Sequence, residues 1–101
     1  MLLPFDLDYS EEKNELLKKR RNVCFEDVKD ALGKGGFITV FEHPNKKKYK
    51  HQYMLVVNIN NYVYAVPFVW DKKRNTAFLK TMYPDRKLTK SYIKEYDKNK
   101  K

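Results

Sequence analysis

The feature that most constrains the fold is a change of hydrophobic period across the glycines between residues 33 and 36. Before them, Phe25, Val28 and Leu32 recur at helical spacing, which predicts the buried stripe of a helix over about 25–32. After them, residues 37–41 are β-branched and aromatic, as is typical of a strand. The glycines between the two patterns are typical of a helix C-terminus followed by a tight turn.

The segment before residue 25 predicts another helix. Asp8 and Glu11 resemble a capping box, so the helix is expected to begin at Asp8. Acidic residues near its start and basic residues near its end suit the helix dipole. Leu16 and Leu17 are its expected inward anchors.

The chain after residue 36 predicts strands and a final helix. The strands are expected over 37–41, 53–59, 62–66 and 76–82, joined by a loop at 43–51, a hairpin turn at Asn60-Asn61 and a turn at 71–75. Pro67 suggests a bulge or an edge. Leu88, Tyr92 and Tyr96 recur every four residues and predict the last helix. We therefore expect an α+β domain with two N-terminal helices, a four-stranded antiparallel meander and a C-terminal helix.

Length and composition predict one domain over residues 1–101, with a frayed basic tail at about 97–101. One cysteine, Cys24, cannot form an intramolecular disulfide and fits a reducing compartment. No secretory signal and no run of about 20 apolar residues occur, which favours a soluble cytoplasmic protein without a membrane partner.

The net charge of +9 is unevenly distributed along the chain. Residues 1–30 hold eight acids and six bases, whereas residues 31–101 hold five acids and 16 bases. A concentrated positive field attracts polyanions. Nucleic acid is the first candidate partner, and an anionic membrane surface or an acidic protein are the others.

Motifs for metals, cofactors and covalent catalysis are not found in the sequence. One cysteine and two histidines cannot build a structural zinc site, so we expect no metal and no cofactor. The run from Gly33 to Gly36 lacks the Walker ending and precedes a strand. Cys24 stands where a helix N-cap is expected and is interpreted as structural.

The first cluster that could carry chemistry is the stretch 42–52. It contains Glu42, His43, Lys46, Lys47, Lys48, Lys50 and His51. Histidine is the usual general acid or base near neutral pH, and the lysines suit RNA phosphates. The alternative is a solvated loop whose lysines discourage aggregation.

The second cluster lies at residues 78–92. Lys80 is the one charge inside the predicted fourth strand, sharing its face with Met82, and Arg86 follows a Tyr-Pro-Asp turn. Arginine binds a phosphate through two parallel hydrogen bonds and keeps its charge. Tyrosines and Trp70 interleave with the bases, a pattern that favours single-stranded RNA. The alternatives are a solvent-facing lysine and tyrosines that belong to the core.

Two segments resemble the BrnT-like toxins of type II toxin–antitoxin systems. The first is 5–28, with Phe5-Asp6, the Lys13-Asn14 pair and a Val-Cys-Phe-Glu run; the second is 79–90, which is similar to their strand closing in Ser-Ala-Arg-Lys-Ala-Thr. The chain departs from that pattern at Arg21-Asn22, where His-Gly is common, and by one or two extra residues before Lys13.

The resemblance implies a ribonuclease with a RelE-like fold, neutralised by a cognate antitoxin. Its motif positions match Arg86 and Lys87. In the implied metal-free chemistry, the RNA 2′-OH loses its proton, attacks the adjacent phosphate and expels the 5′-oxygen. Fixed cations, expected to be Arg86 and Lys80, stabilise the developing charge.

The remaining roles follow from residue type. The base is expected to be His51, Glu42 or a lysine with a pKa lowered by neighbouring charges. Tyr83 would orient the phosphate or donate to the leaving oxygen. Lys46, Lys47, Lys48, Lys50, Lys87, Lys90 and His43 would hold RNA, whether mRNA is cut free or on the ribosome. The alternatives are a non-catalytic RNA-binding module and a protein-interaction domain.

Overall fold

The computed structural model describes residues 5–45, 47–48 and 50–93. Within these ranges the elements are β1 (Asp6–Tyr9), α1 (Glu11–Arg21), α2 (Phe25–Gly33), β2 (Phe37–Glu42), β3 (Gln52–Ile59), β4 (Tyr62–Asp71), β5 (Thr76–Leu79), β6 (Tyr83–Pro84) and α3 (Arg86–Tyr92). None of these helices has the length and apolar character needed to cross a membrane.

The described strands form one mixed sheet in the order β1-β5-β4-β3-β2, with β6 paired to β4. β2 to β5 are antiparallel neighbours in chain order, and β1 runs parallel to β5. The predicted α+β class is confirmed, but the four strands expected were too few, since the described residues form a sheet of six. β1 was missed because four residues cannot display a clear alternation.

The first helix begins three residues later than expected. Asp8 lies in β1 beside Phe78, and Ser10 is the N-cap, its side chain accepting a hydrogen bond from the Lys13 N–H at 3.3 Å. The predicted capping box at Asp8 was therefore wrong. Serine is an equally good N-cap, and pairing with β5 keeps Asp8 extended.

The helix-side core lies between α1, α2 and one face of the sheet. Phe25, Val28 and Leu32 are buried there, as the helical spacing predicts. Leu17 is buried, but Leu16 is 44% exposed and is not the expected anchor. Asn14 takes the inward position instead.

The predicted fourth strand is interrupted. β5 ends at Leu79, and pairing with β4 resumes at Tyr83-Pro84. The Lys80 N–H donates to the Pro67 carbonyl at 2.8 Å, so Pro67 faces the interruption. Proline has no N–H that could donate a second hydrogen bond to the facing segment. The ladder therefore breaks beside Pro67.

Met82 turns into the helix-side core and is fully buried, whereas Lys80 is exposed. The two therefore do not share a face, contrary to the alternation predicted for an unbroken strand. The Tyr-Pro-Asp turn was also wrong: Tyr83 and Pro84 pair with β4, and Asp85 caps α3.

α3 packs on the opposite face of the sheet. Leu88 and Ile93 contact Val56 and Val63 there. Thr89 is fully buried, and its Oγ1 accepts from the Val63 N–H at 3.0 Å and donates to the Asp85 carbonyl at 2.7 Å. The apolar face predicted for the last helix was partly wrong, because Tyr92 is 50% exposed. Tyr96 and the predicted tail 97–101 lie outside the described residues.

The link from α2 to β2 requires glycine at residue 36. Its N–H donates to the Ala31 carbonyl at 2.7 Å, and its carbonyl accepts from the Asn58 N–H at 2.8 Å. A Cβ there would lie 2.6 Å from the Asn58 oxygen.

Two predicted turns are confirmed. Gly35 has a φ of +85°, as the tight turn after α2 requires. Asn60-Asn61 forms the predicted hairpin with φ values of 52° and 69°.

Candidate nucleic-acid interface

α3 covers only part of the sheet face on which it packs, since residues beyond it on that face are half-buried or exposed. Strand register aligns Phe41, Met54, Pro67 and Lys80 in one row across it. We call the uncovered part the open face. Its members, assigned by register, are Phe41, Gln52, Met54, Pro67, Val69, Phe78, Lys80 and Tyr83. Asp8 pairs with Phe78 at its margin.

Lys80 stands on this face just beyond the end of β5. Its side chain is exposed, and its Nζ lies 5.5 Å from the centre of the Phe78 ring. A cation over a ring face is held by the ring quadrupole. The ammonium is therefore directed over the open face and remains available to an anion.

Tyr83 lies on the same face, opposite Ala65. Its hydroxyl is 4.0 Å from the Met54 Sδ, a weak acceptor. Ala65 and Pro67, the partners of Tyr83 and Lys80, are two residues apart on β4, which corresponds to roughly 7 Å. Lys80 and Tyr83 are thus close neighbours, as their expected joint role requires.

Arg86 is the first residue of α3. The Asp85 carboxylate accepts from the Leu88 N–H at 2.9 Å, and the Asp85 N–H donates to the Val63 carbonyl at 2.9 Å. These bonds fix the start of the helix on β4. Arg86 therefore follows Lys80 and Tyr83 along one ladder, and its side chain is exposed, as are those of Lys87 and Lys90.

His51 lies at the other end of the sheet. Its carbonyl accepts from the Trp70 N–H at 3.0 Å. Trp70 and Val63, which anchors Asp85, are seven residues apart on β4, a separation of roughly 23 Å. One phosphate cannot contact both ends, so the predicted grouping of His51 with Arg86 does not occur.

Glu42 and His43 also lie at that end. Glu42 pairs with Tyr53, whose side chain packs in the helix-side core, so register directs Glu42 away from the open face. His43 donates its N–H to the Gln52 carbonyl at 2.9 Å, and its Nδ1 accepts from the Asn45 N–H at 3.0 Å. Its imidazole therefore helps to shape the loop.

The loop lysines surround this end of the sheet. Lys47, Lys48 and Lys50 are exposed, and the Lys48 N–H donates to the Asn45 Oδ1 at 3.1 Å. Lys46 lies outside the described residues. The predicted RNA-binding residues thus form two basic groups, the loop lysines at one end and Arg86, Lys87 and Lys90 at the other.

The open face also contains residues that no sequence motif indicated. Phe41 is 43% exposed, and Met54 and Phe78 are half-buried beside Tyr83 and Lys80. The alternation of side chains along β2 and β3 shows which residues of one strand share a face. Only the register between strands shows that Phe41 and Met54 adjoin Lys80.

Cys24 fits its structural interpretation. It is the N-cap of α2, and its N–H donates to the Asp27 Oδ2 at 2.9 Å. Burial raises the pKa of its thiol, which disfavours the reactive thiolate. In the part of the chain that the structure describes, no group of three or more His, Cys, Asp or Glu side chains is arranged to hold a metal ion.

Comparison of the chain with models of protein families, with curated proteins and with solved structures finds no match.

Proposed function

We propose that this protein is a metal-independent ribonuclease toxin of the BrnT-like, RelE-like type, and that a cognate antitoxin neutralises it. The observation that carries the proposal is the alignment of Lys80, Tyr83 and Arg86 along one side of β4. This arrangement combines two basic side chains and a phenol beside an apolar, aromatic surface, which suits an RNA phosphate and its bases.

Each residue of this group has a distinct proposed role. Arg86 holds the phosphate and stabilises the charge that develops on it. Of the three kinds of base expected from the sequence, only a lysine occurs in the group, so Lys80 reacts as the neutral amine, accepts the 2′-OH proton and becomes an ammonium. Tyr83 donates a proton to the departing 5′-oxygen. One O2′–P bond forms and one P–O5′ bond breaks, which leaves a cyclic phosphate and a 5′-hydroxyl.

The two basic groups hold the flanking RNA. Lys87 and Lys90 extend the positive charge from Arg86 along α3, and Lys47, Lys48 and Lys50 continue it at the loop end. A single strand that crosses the open face between them would pass Lys80 and Phe41. Such phosphate contacts weaken as salt concentration rises.

The second candidate is a non-catalytic RNA-binding or protein-interaction module. It is favoured by the separation of His51 and Glu42 from Arg86, since the group on β4 then has no histidine or carboxylate base. In this alternative the open face binds RNA without cutting it.

Induction in bacteria separates the two candidates. We expect the wild type to arrest growth with loss of mRNA, and Arg86→Ala to abolish both effects at equal protein level. Arg20→Ala is the matched control, because Arg20 is an exposed arginine on α1, and it should behave as the wild type. A wild type that binds RNA but leaves growth and mRNA unchanged would support the binding module instead.

A further inference from the structure

β2 combines a sheet edge with exposed apolar side chains. Five large hydrophobic side chains are exposed among the described residues, and three of them, Phe37, Val40 and Phe41, belong to this strand. In the described part of the chain, β2 pairs with β3 on one side only. Backbone groups at such an edge readily accept another strand.

An apolar groove lies beside this edge on the helix-side face. α1 and α2 cover only part of that face, and a cavity of about 370 Å³ remains over the rest. It extends from β2 to β1, and its lining includes Phe5, Phe37, Val40, Tyr53, Phe68 and Trp70. A contiguous apolar surface of this kind is typical of an interaction site.

The aromatic rings of the groove are already packed against one another. Tyr53 stacks on Phe68 with centroids 5.5 Å apart, and Phe5 meets Trp70 edge-on at 5.8 Å. These contacts already occupy part of each ring, and the lining between them includes the aliphatic side chains of Leu55 and Leu79. The groove suits aliphatic and aromatic side chains of a protein segment better than RNA.

The charges around the groove indicate which residues should flank the apolar part of that segment. The loop 43–51 and the turn 72–75 lie at the same end of the sheet as the groove. They present six exposed bases, Lys47, Lys48, Lys50, Lys72, Lys73 and Arg74, whereas three acids, Asp6, Glu42 and Asp71, border them. A second copy of this chain, with its net charge of +9, fits this rim poorly, whereas acidic flanks are complementary to it.

We infer that a protein partner adds a strand to the free edge of β2, inserts alternate apolar side chains into the groove and places acidic residues against the basic rim. Identifying this partner with the neutralising antitoxin rests on the proposed function, but the docking surface does not. The loop lysines of the rim are also proposed to hold RNA. Acidic residues bound there would therefore compete with the substrate.

Selection of a displayed library of short random peptides on the full-length protein tests the inference. We expect enriched peptides to carry apolar residues at alternate positions and an excess of Asp and Glu. Binding should weaken by about tenfold or more on Val40→Lys, because the new ammonium would be desolvated without a partner. Leu16→Lys is the matched control, since Leu16 is also 44% exposed but lies on α1, and it should bind the peptides normally.

Phe37→Ser, at a position 51% exposed, is the second variant if Val40→Lys does not fold, and it should weaken the same peptides. The inference is overturned if no peptide is enriched, if the enriched peptides are basic, or if they bind the groove variants as well as the wild type. A concentration-dependent dimer that Val40→Lys disrupts would assign the edge to a second copy. Loss of oligouridylate binding in Val40→Lys would assign it to RNA.

These outcomes do not depend on RNA cleavage, which is measured separately on the wild type. A peptide that binds a protein without nuclease activity would refute the proposed function and leave the docking surface intact. A protein that cleaves RNA but binds no such peptide would support the proposed function and refute the docking surface.

Discussion

At the scale of single residues, Asn14 joins the two N-terminal helices. Its side chain is buried, with the Oδ1 accepting from the Phe25 N–H at 2.8 Å and the Nδ2 donating to the Glu26 Oε1 at 2.9 Å. One amide thus satisfies the first N–H of α2 and orients a carboxylate beside it. A helix terminus buried in this way requires such a partner.

Replacing Asn14 with alanine should therefore destabilise the fold. The buried Phe25 N–H would lose its acceptor, which costs about 1–3 kcal/mol. Chemical denaturation of Asn14→Ala and of the exposed Lys19→Ala on the same helix measures the effect, and the control should stay within roughly 0.5 kcal/mol of the wild type. Equal stability of the two variants would contradict this role.

Glu26 predicts how stability depends on pH. The hydrogen bond from Asn14 and the charge of Lys18 lower the pKa of the Glu26 carboxyl below its ordinary value of 4.5. A lowered pKa stabilises the fold above the ordinary value, and this contribution is lost as pH falls through the folded-state pKa. Glu26→Gln should be less stable than the wild type near neutral pH, and the difference should shrink below pH 4.5. Denaturation curves at both pH values decide this, and a constant difference would contradict it.

Substitutions of Lys80 can separate its two proposed contributions, a positive charge and a proton acceptor. Arginine keeps a positive charge over the open face but does not act as a proton acceptor. If Lys80 is the base, both Lys80→Ala and Lys80→Arg should lose about 100-fold or more of the RNA cleavage rate. Lys19→Arg is the control, and cleavage rates on one labelled RNA compare all three. Full activity of Lys80→Arg would limit Lys80 to an electrostatic role.

At the scale of elements, local patterns predicted the helical stripe of α2, the glycine turn and the Asn60-Asn61 hairpin. Each depends on side chains or φ values of neighbouring residues. β1 and the interruption between β5 and β6 depend instead on pairing between distant segments. Pro67 signalled an irregularity, but its consequence appears on Lys80, the residue across the ladder.

The candidate site shows the same division. Lys80, Tyr83 and Arg86 are close in sequence, and the backbone pairing of Lys80, Tyr83 and Asp85 holds this segment along β4. His51 and Glu42 were grouped with them on chemical grounds alone. Whether two chain segments meet depends on strand register, and here register directs them to another end and another face of the sheet.

Gly36 supplies an element-scale prediction. A Cβ at this position would clash with two carbonyl oxygens, at 2.6 Å and 2.9 Å, whereas nothing lies within 4 Å of one at Gly33. Gly36→Ala should lower stability by roughly 1–3 kcal/mol. Gly33→Ala, at the last residue of α2, should be neutral or stabilising by up to about 1 kcal/mol. Thermal or chemical unfolding compares the pair, and equal effects would contradict the close approach of α2 and β3.

At the scale of the whole molecule, the sheet separates two surfaces. The open face carries Lys80, Tyr83 and the start of α3, and the opposite face carries the apolar groove beside β2. The bases at the loop end border both surfaces. We therefore propose that RNA binds one face and a protein partner the other, with the loop lysines shared between them.

The proposed ribonuclease activity is best tested by incubating a single-stranded RNA with the purified protein, with and without ribosomes and with a chelator present. We predict products ending in a 2′,3′-cyclic phosphate and a 5′-hydroxyl, no cut at a 2′-deoxy position, and a rate about 100-fold lower for Arg86→Ala but unchanged for Arg20→Ala. Intact RNA in every wild-type reaction, or equal cleavage by Arg86→Ala and the wild type, would contradict it.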